Sequence, residues 1–255
     1  MQTRIISAIV ALIAFIVVLF LGLVAIRVAL IFLTLLGIYE LKRMIGNNFN
    51  LDFIATALVV ALAFFTVLDQ ALALIFLYLL FCLIMSMIQK GVDFRGFIGN
   101  AFSTAYVAIP MFLLMRAILF SPVNLAYLLI FIIAWGTDTI AYFAGSFFGQ
   151  RPLAPITSPK KTWEGAIGGT IGALILSLIF GLLVLDGVDL IALVVFSIVG
   201  SIVSQLGDVA ISHLKRATGI KDSGVFLPGH GGLLDRFDSL FAVTAVYYLF
   251  ILWLF

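Results

Sequence analysis

Apolar runs long enough to cross a bilayer follow one another through nearly all of these 255 residues, leaving little surface that could face water. Only 10% of the residues are charged and 64% are hydrophobic, with a mean hydropathy of +1.30. A soluble domain carries about 25% charged residues. In lipid every backbone N–H and C=O must be paired inside the protein, so such a chain folds as spanning helices. The expectation is an all-α, polytopic integral membrane protein forming one domain over residues 1–255. Residues 1–120 are read as scaffold spans and 130–240 as the working part.

Nine spans can be drawn, near Ile5–Leu21, Val28–Ile38, Phe53–Leu68, Ala71–Ile88, Ala101–Leu119, Val123–Phe148, Gly165–Leu185, Leu190–Leu214 and Leu240–Phe255. Only Gly22 and Arg27 interrupt residues 5–38, so this stretch is either one long tilted helix or a tight hairpin. The start MQTRIISAIV reads as an uncleaved first span, because apolar spans rather than a polar mature domain follow it. Gly91–Gly99, of mixed polarity, reads as an interfacial elbow. The single cysteine, Cys82, lies in an apolar run and excludes an intrachain disulfide.

Basic residues orient such a chain, because they collect on the cytoplasmic side. With nine spans, Arg4, Lys42, Arg43, Lys90, Arg95, Arg151, Lys160, Lys161, Lys215, Arg216, Lys221 and Arg236 share one side. Arg27 and Arg116 take the other, a division of 12 to 2 among the 14. The N-terminus and the polar loops are therefore expected in the cytoplasm, with the C-terminus on the far side.

The scarce charges concentrate in one segment. Residues 204–239 hold four of the 12 acids (Asp208, Asp222, Asp235, Asp238), four of the 14 bases (Lys215, Arg216, Lys221, Arg236) and both histidines, His213 and His230. On a helix Asp208, Ser212, Lys215 and Arg216 share one face, which sets a deep carboxylate below two shallow cations. Between the helices, Gly229, Gly231 and Gly232 around His230 allow backbone N–H groups to form an anion nest. Asp235 and Asp238 open the last span. Hard carboxylate oxygens suit Mg²⁺, which shares its coordination with substrate phosphates. No cysteine or histidine pair at ligand spacing points to zinc.

Two upstream elements add to this. Asp138 lies midway along an apolar run, with Tyr142 one turn further on the same face, and a mid-span carboxylate costs about 2.5–3.5 kcal/mol on insertion scales unless it meets a partner or cavity. In Ile156–Gly169, Ser158 or Thr162 can cap a helix with Glu164 in its first turn. Lys160 and Lys161 then stand beside a helix N-terminus that favours phosphate.

The order of these residues resembles a known family. Ser212-x-x-Lys215-Arg216, Lys221-Asp222-Ser223-Gly224, Leu227-Pro-Gly-His-Gly-Gly232 and Leu234-Asp-Arg-x-Asp-Ser239 are similar to the signature of the CDP-diacylglycerol synthases, or phosphatidate cytidylyltransferases. Asp138-Thr-Ile-Ala-Tyr142 and Ser158-Pro-Lys-Lys-Thr-Trp-Glu-Gly165 resemble upstream elements of the same family. The resemblance implies the reaction CTP + phosphatidate → CDP-diacylglycerol + pyrophosphate. It implies Mg²⁺ on the residues matching Asp208 and Asp235, with a monovalent cation such as K⁺ beside it. Asp238 is expected to orient that metal centre or join its ligands. Lys215, Arg216 and Arg236 are expected to act in catalysis. Lys160, Lys161, Ser212, Lys221, Asp222, Ser223, Gly229, His230, Gly231, Gly232, Asp138 and Tyr142 are expected to bind substrate. The expected partners are CTP, phosphatidate and other membrane lipid, with no nucleic acid; a homodimer is one expected assembly, and a bacterial inner membrane the expected location. CTP rests on the resemblance alone.

Two rivals differ in what they need. A lipid-alcohol kinase acting on a polyprenol needs a base for its hydroxyl. An ion-coupled transporter would use Asp138 and Asp208 as coupling carboxylates, in helices broken at Gly136 and Gly207. The charge division also gives a direct test of orientation. A reporter fused after Phe255 should register on the non-cytoplasmic side, and a cytoplasmic reading would reject the nine-span arrangement.

Overall fold

The computed structural model describes residues 10, 13, 16–18, 20–46, 52–88, 94–120, 123, 125–224 and 231–255. Helices α1 (Leu23–Ile45), α2 (Asp52–Phe64), α3 (Leu68–Ile88), α4 (Phe94–Phe120) and α5 (Leu128–Phe148) come first. A hairpin of β1 (Pro152–Ala154) and β2 (Ser158–Thr162) follows. Then come α6 (Trp163–Val184), α7 (Leu190–Ala217) and α8 (Leu234–Leu254). Six helices are long and apolar enough to cross a membrane: α1, α4, α5, α6, α7 and, over Leu68–Met85, α3. The protein is thus a largely helical, polytopic membrane protein. Most of the expected span Ile5–Leu21 lies outside the described residues.

Several expected boundaries move. The apolar run breaks at Gly22, whose φ of 88° is open to glycine at little cost, and α1 starts at Leu23. Arg27 continues the helix, its guanidinium over the Phe65 ring at 5.4 Å from the centroid. At the other end α1 runs past Ile38 to Ile45, carrying Glu40 and Lys42 into buried positions. The elbow expected over Gly91–Gly99 is already helical from Phe94, since packing overrides the weak propensity of two glycines. The span expected from Val123 starts at Leu128, after a turn with Leu125 at φ 68°.

The all-α expectation needs one correction. The cytoplasmic loop expected before α6 is an antiparallel hairpin, with Pro152 opposite Thr162 and Ala154 opposite Ser158. Extended backbone suits Pro159 and the residue before it, so the Ser158–Thr162 segment makes a strand rather than a helix start.

The described chain divides into two compact units. The first holds residues 1–115 and 222–234, the second residues 116–221 and 235–255. In the first, α2 packs on α1 and on α3, around buried Leu30, Ile38, Leu41, Phe64 and Tyr78. In the second, α5, α6 and α7 pack on one another. Small residues let these backbones approach closely, as is usual where lipid removes the hydrophobic driving force between helices. A side chain at Gly169 would meet the Thr137 carbonyl oxygen and the Ala141 Cβ, each at 2.8 Å.

Hydrogen bonds join the same three helices in their apolar interior. Thr137 donates to Ser201 at 2.9 Å, and Ser201 to Thr170 at 3.1 Å. The Gln205 amide donates to Thr170 and to the Ala166 carbonyl, each at 3.2 Å. Such bonds register spanning helices, at about 0.6 kcal/mol each on average.

Candidate active site

The second unit brings most of the chain's polar motifs to one place. Residue by residue, the geometry follows from how each supporting element begins or ends. Strand β2 ends at Thr162, whose hydroxyl accepts the Gly165 N–H at 3.1 Å and caps α6. Glu164 in the first turn accepts the Gln150 and Arg151 N–H groups at 3.0 and 3.3 Å, tying the hairpin's entry to the helix start. Of the two expected caps, the structure uses Thr162. That anchoring sets Lys161, and its ammonium forms an ion pair with Asp208 of α7. Lys160 beside it is exposed.

Helix α7 starts where Asp189 accepts the Ala192 N–H at 2.8 Å. From there it runs unbroken through Gly207 and Asp208 to Ala217. Ser212, one turn beyond Asp208, donates to its Oδ1 at 3.3 Å, as the shared helix face requires. Lys215 donates to Asp235 Oδ1 at 2.7 Å, and the two side chains are only 12% and 9% exposed. Arg216 is exposed and reaches the Ile220 carbonyl at 3.4 Å.

Helix α8 supplies the other wall. A side chain at Gly207 would meet the Asp238 carbonyl oxygen at 2.7 Å and the Ala242 Cβ at 3.0 Å. Glycine there lets α7 and α8 touch at the level of the carboxylates. Asp238 is buried and accepts the Ser239 N–H at 2.8 Å. The Ser239 hydroxyl donates to Asp138 Oδ2 at 3.0 Å, bringing in the mid-span carboxylate of α5.

Electrostatically this is one group. Asp208 acts on both Asp138 and Asp238, and Asp138 acts on Asp238. Lys161 and Arg236 act on Asp138, and Lys215 on Asp238. Three carboxylates in low-dielectric surroundings repel strongly unless cations offset them, and the lysines do so here.

Among the described residues no three Asp, Glu, His or Cys side chains converge tightly enough to hold a metal by themselves. Mg²⁺ rarely asks for that. It takes one or two carboxylates and completes its shell with water and substrate phosphate. A set made of hard carboxylate oxygens beside lysines fits this mode.

Other expected site residues lie elsewhere. Tyr142 is 72% exposed on α5, its ring edge-on to Phe143. Lys221 and Asp222 are exposed, as is His213. Gly229 and His230 lie outside the described residues. Gly231 has φ 84°, the left-handed turn expected of it. Ser223 and Gly232 are buried in the first unit against Glu40. Sequence reasoning assigned no part to Glu40 or to Ser239. The latter was visible as the last residue of Leu234-Asp-Arg-x-Asp-Ser239, whereas nothing local marks Glu40.

The model of the cytidylyltransferase family matches residues 2–254, almost the whole chain, and the chain belongs to that family. Among curated proteins it is similar to the phosphatidate cytidylyltransferase of Haemophilus influenzae, 45% identical over 133 residues, which are 49% of this chain and 46% of that protein. The protein of the same name from Brucella abortus is 50% identical over 125 residues, 48% of this chain and 44% of that one. The one from Bacillus subtilis is 47% identical over 119 residues, 46% of this chain and 44% of that one. Each match therefore spans less than half of the relative's length.

The sequence alone casts Lys215 as a phosphate-facing cation that can be removed with little effect on folding. Its pairing with the nearly buried Asp235 changes that expectation. Lys215→Ala should lower stability in detergent by on the order of 3 kcal/mol, because it takes a cation away from a desolvated carboxylate. Adding Asp235→Asn should recover most of the loss. Thermal unfolding of the single and double variants checks this, and an unshifted single variant would contradict it.

Proposed function

We propose that this member of the cytidylyltransferase family transfers the cytidylyl group of CTP to phosphatidate, yielding CDP-diacylglycerol and pyrophosphate. One observation carries the reading. Asp138, Asp208 and Asp238 interact within a membrane-embedded unit together with Lys161, Lys215 and Arg236. That is the charge pattern needed to gather a nucleoside triphosphate, a lipid phosphate and a divalent ion at a lipid surface. The names of the three relatives point the same way.

The chemistry needs no general base. A phosphatidate oxygen is already anionic at neutral pH and attacks the CTP α-phosphorus in line as the bond to pyrophosphate breaks. The protein's work is positioning and charge neutralisation. Lys161 and Lys215 exchange their carboxylate partners for phosphate oxygens as substrate enters, with Arg236 and Arg216 beside them. Lys160 and Lys221, both exposed, draw the nucleotide in. Asp208 and Asp235, with Asp238 orienting them, would hold Mg²⁺, which would supply charge neutralisation at the α-phosphate and the leaving pyrophosphate; a monovalent cation such as K⁺ would stand beside it.

The rivals fit less well. A polyprenol kinase needs a base at its hydroxyl and a different acceptor, and the relatives that this chain resembles are named phosphatidate cytidylyltransferases. A transporter of the expected kind needs helices interrupted at Gly136 and Gly207, but α5 and α7 run through both.

The arrangement in the membrane belongs to the same proposal. The six long apolar helices, the shorter Ile54–Phe64, α8 and the run Ile5–Leu21 make nine spans. The N-terminus and the site face the cytoplasm at a bacterial inner membrane. Purified protein in mixed micelles should release pyrophosphate from CTP only when both phosphatidate and Mg²⁺ are present, and should not do so with diacylglycerol or a polyprenol. Release that ignores phosphatidate, or an equal rate with ATP, would overturn the reading.

A further inference from the structure

Glu40 is a buried carboxylate in the last turns of α1, only 3% exposed. It lies nearly two hundred residues from every group it binds. Its Oε1 accepts the Leu233 N–H at 2.9 Å, and its Oε2 accepts the Leu234 N–H at 3.0 Å and the Ser223 hydroxyl at 3.1 Å. Gly224 and Gly232 press so closely on the same carboxylate that neither position has room for a side chain.

Among the described residues all three partners donate, so both oxygens must accept. Of the residues of this length only glutamate supplies that; the amide of glutamine would set its NH₂ against a backbone N–H in either orientation. Leu234 is also the first residue of α8, whose free N–H groups and dipole favour a negative charge. Glu40 thus serves α8 as an N-terminal cap drawn from a distant helix. It clasps both ends of the 223–234 segment, and the next residue in the chain is Asp235.

We propose that Glu40 is a positioning residue for the transfer reaction: it touches no substrate but fixes where α8 begins, and so where Asp235 and Asp238 stand. Its kinetic consequence rests on the function proposed above, whereas the clasp itself does not. The experiment therefore has two arms, both on the full chain in detergent. In the first, hydrogen exchange at the Leu233 and Leu234 amides should quicken by about tenfold or more in Glu40→Gln, as loss of a charge-assisted hydrogen bond requires. In the second, kcat with CTP and phosphatidate, per folded molecule, should fall by about 10- to 100-fold, the range seen when an orienting partner is lost, while KM for CTP changes much less.

Unchanged exchange overturns the clasp. Faster exchange with unchanged kcat overturns the positioning role. If wild-type protein shows no transfer from CTP, the function proposed above fails and the exchange arm still decides the clasp. Should Glu40→Gln not fold, Ser223→Ala, which leaves the carboxylate two N–H donors, must show the faster exchange at Leu233 and Leu234 to a smaller degree. Wild-type exchange in that variant overturns the proposal.

Discussion

A carboxylate within a membrane-spanning helix is stable only beside something that offsets its charge, and the polar architecture of this protein follows from that requirement. Asp208 has Lys161 and the Ser212 hydroxyl, Asp235 has Lys215, Asp138 has the Ser239 hydroxyl, and Glu40 has two N–H groups and a hydroxyl. None of these partners is the nearest residue in sequence. Apart from Asp208 with Ser212 in the same helix, each pairing obliges two segments of the chain to meet, so these acids also specify how the elements of each unit are arranged. Leu, Ile and Phe faces alone would allow many registers, because lipid solvates them as well as protein does.

The same pairings suit the proposed reaction, which asks for a site that is stable before substrate arrives and still binds it. Ion pairs between flexible lysines and carboxylates offset buried charge without locking it. On the function proposed above, phosphate oxygens would replace the carboxylates around Lys161 and Lys215 and leave those carboxylates to a divalent ion.

Much of this was legible in the sequence. Composition alone dictated spanning helices, and the motif order singled out Asp138, Lys161, Asp208, Lys215 and Asp235, which fall in the second unit. The i to i+4 spacing of Asp208 and Ser212 became an observed contact. Three things were not legible. The hairpin over Pro152–Thr162 hid in a segment whose Pro and Lys residues read equally well as a loop. The pairing of Lys215 with Asp235 needed the angle between two helices, which spacing does not carry. Glu40 looked like an ordinary polar residue at the end of an apolar run; its partners lie 183 to 194 residues away, beyond any local pattern.

The central claim is that the carboxylates of α7 and α8 serve one shared site rather than two independent structural roles. A double-mutant cycle measures this directly through the turnover of Asp208→Asn, Asp235→Asn and the combined variant with CTP, phosphatidate and Mg²⁺. The account predicts that each single change nearly abolishes turnover, that excess Mg²⁺ does not restore it, and that the double variant is hardly worse than either single one. Losses that simply add, or full activity in either single variant, would contradict it.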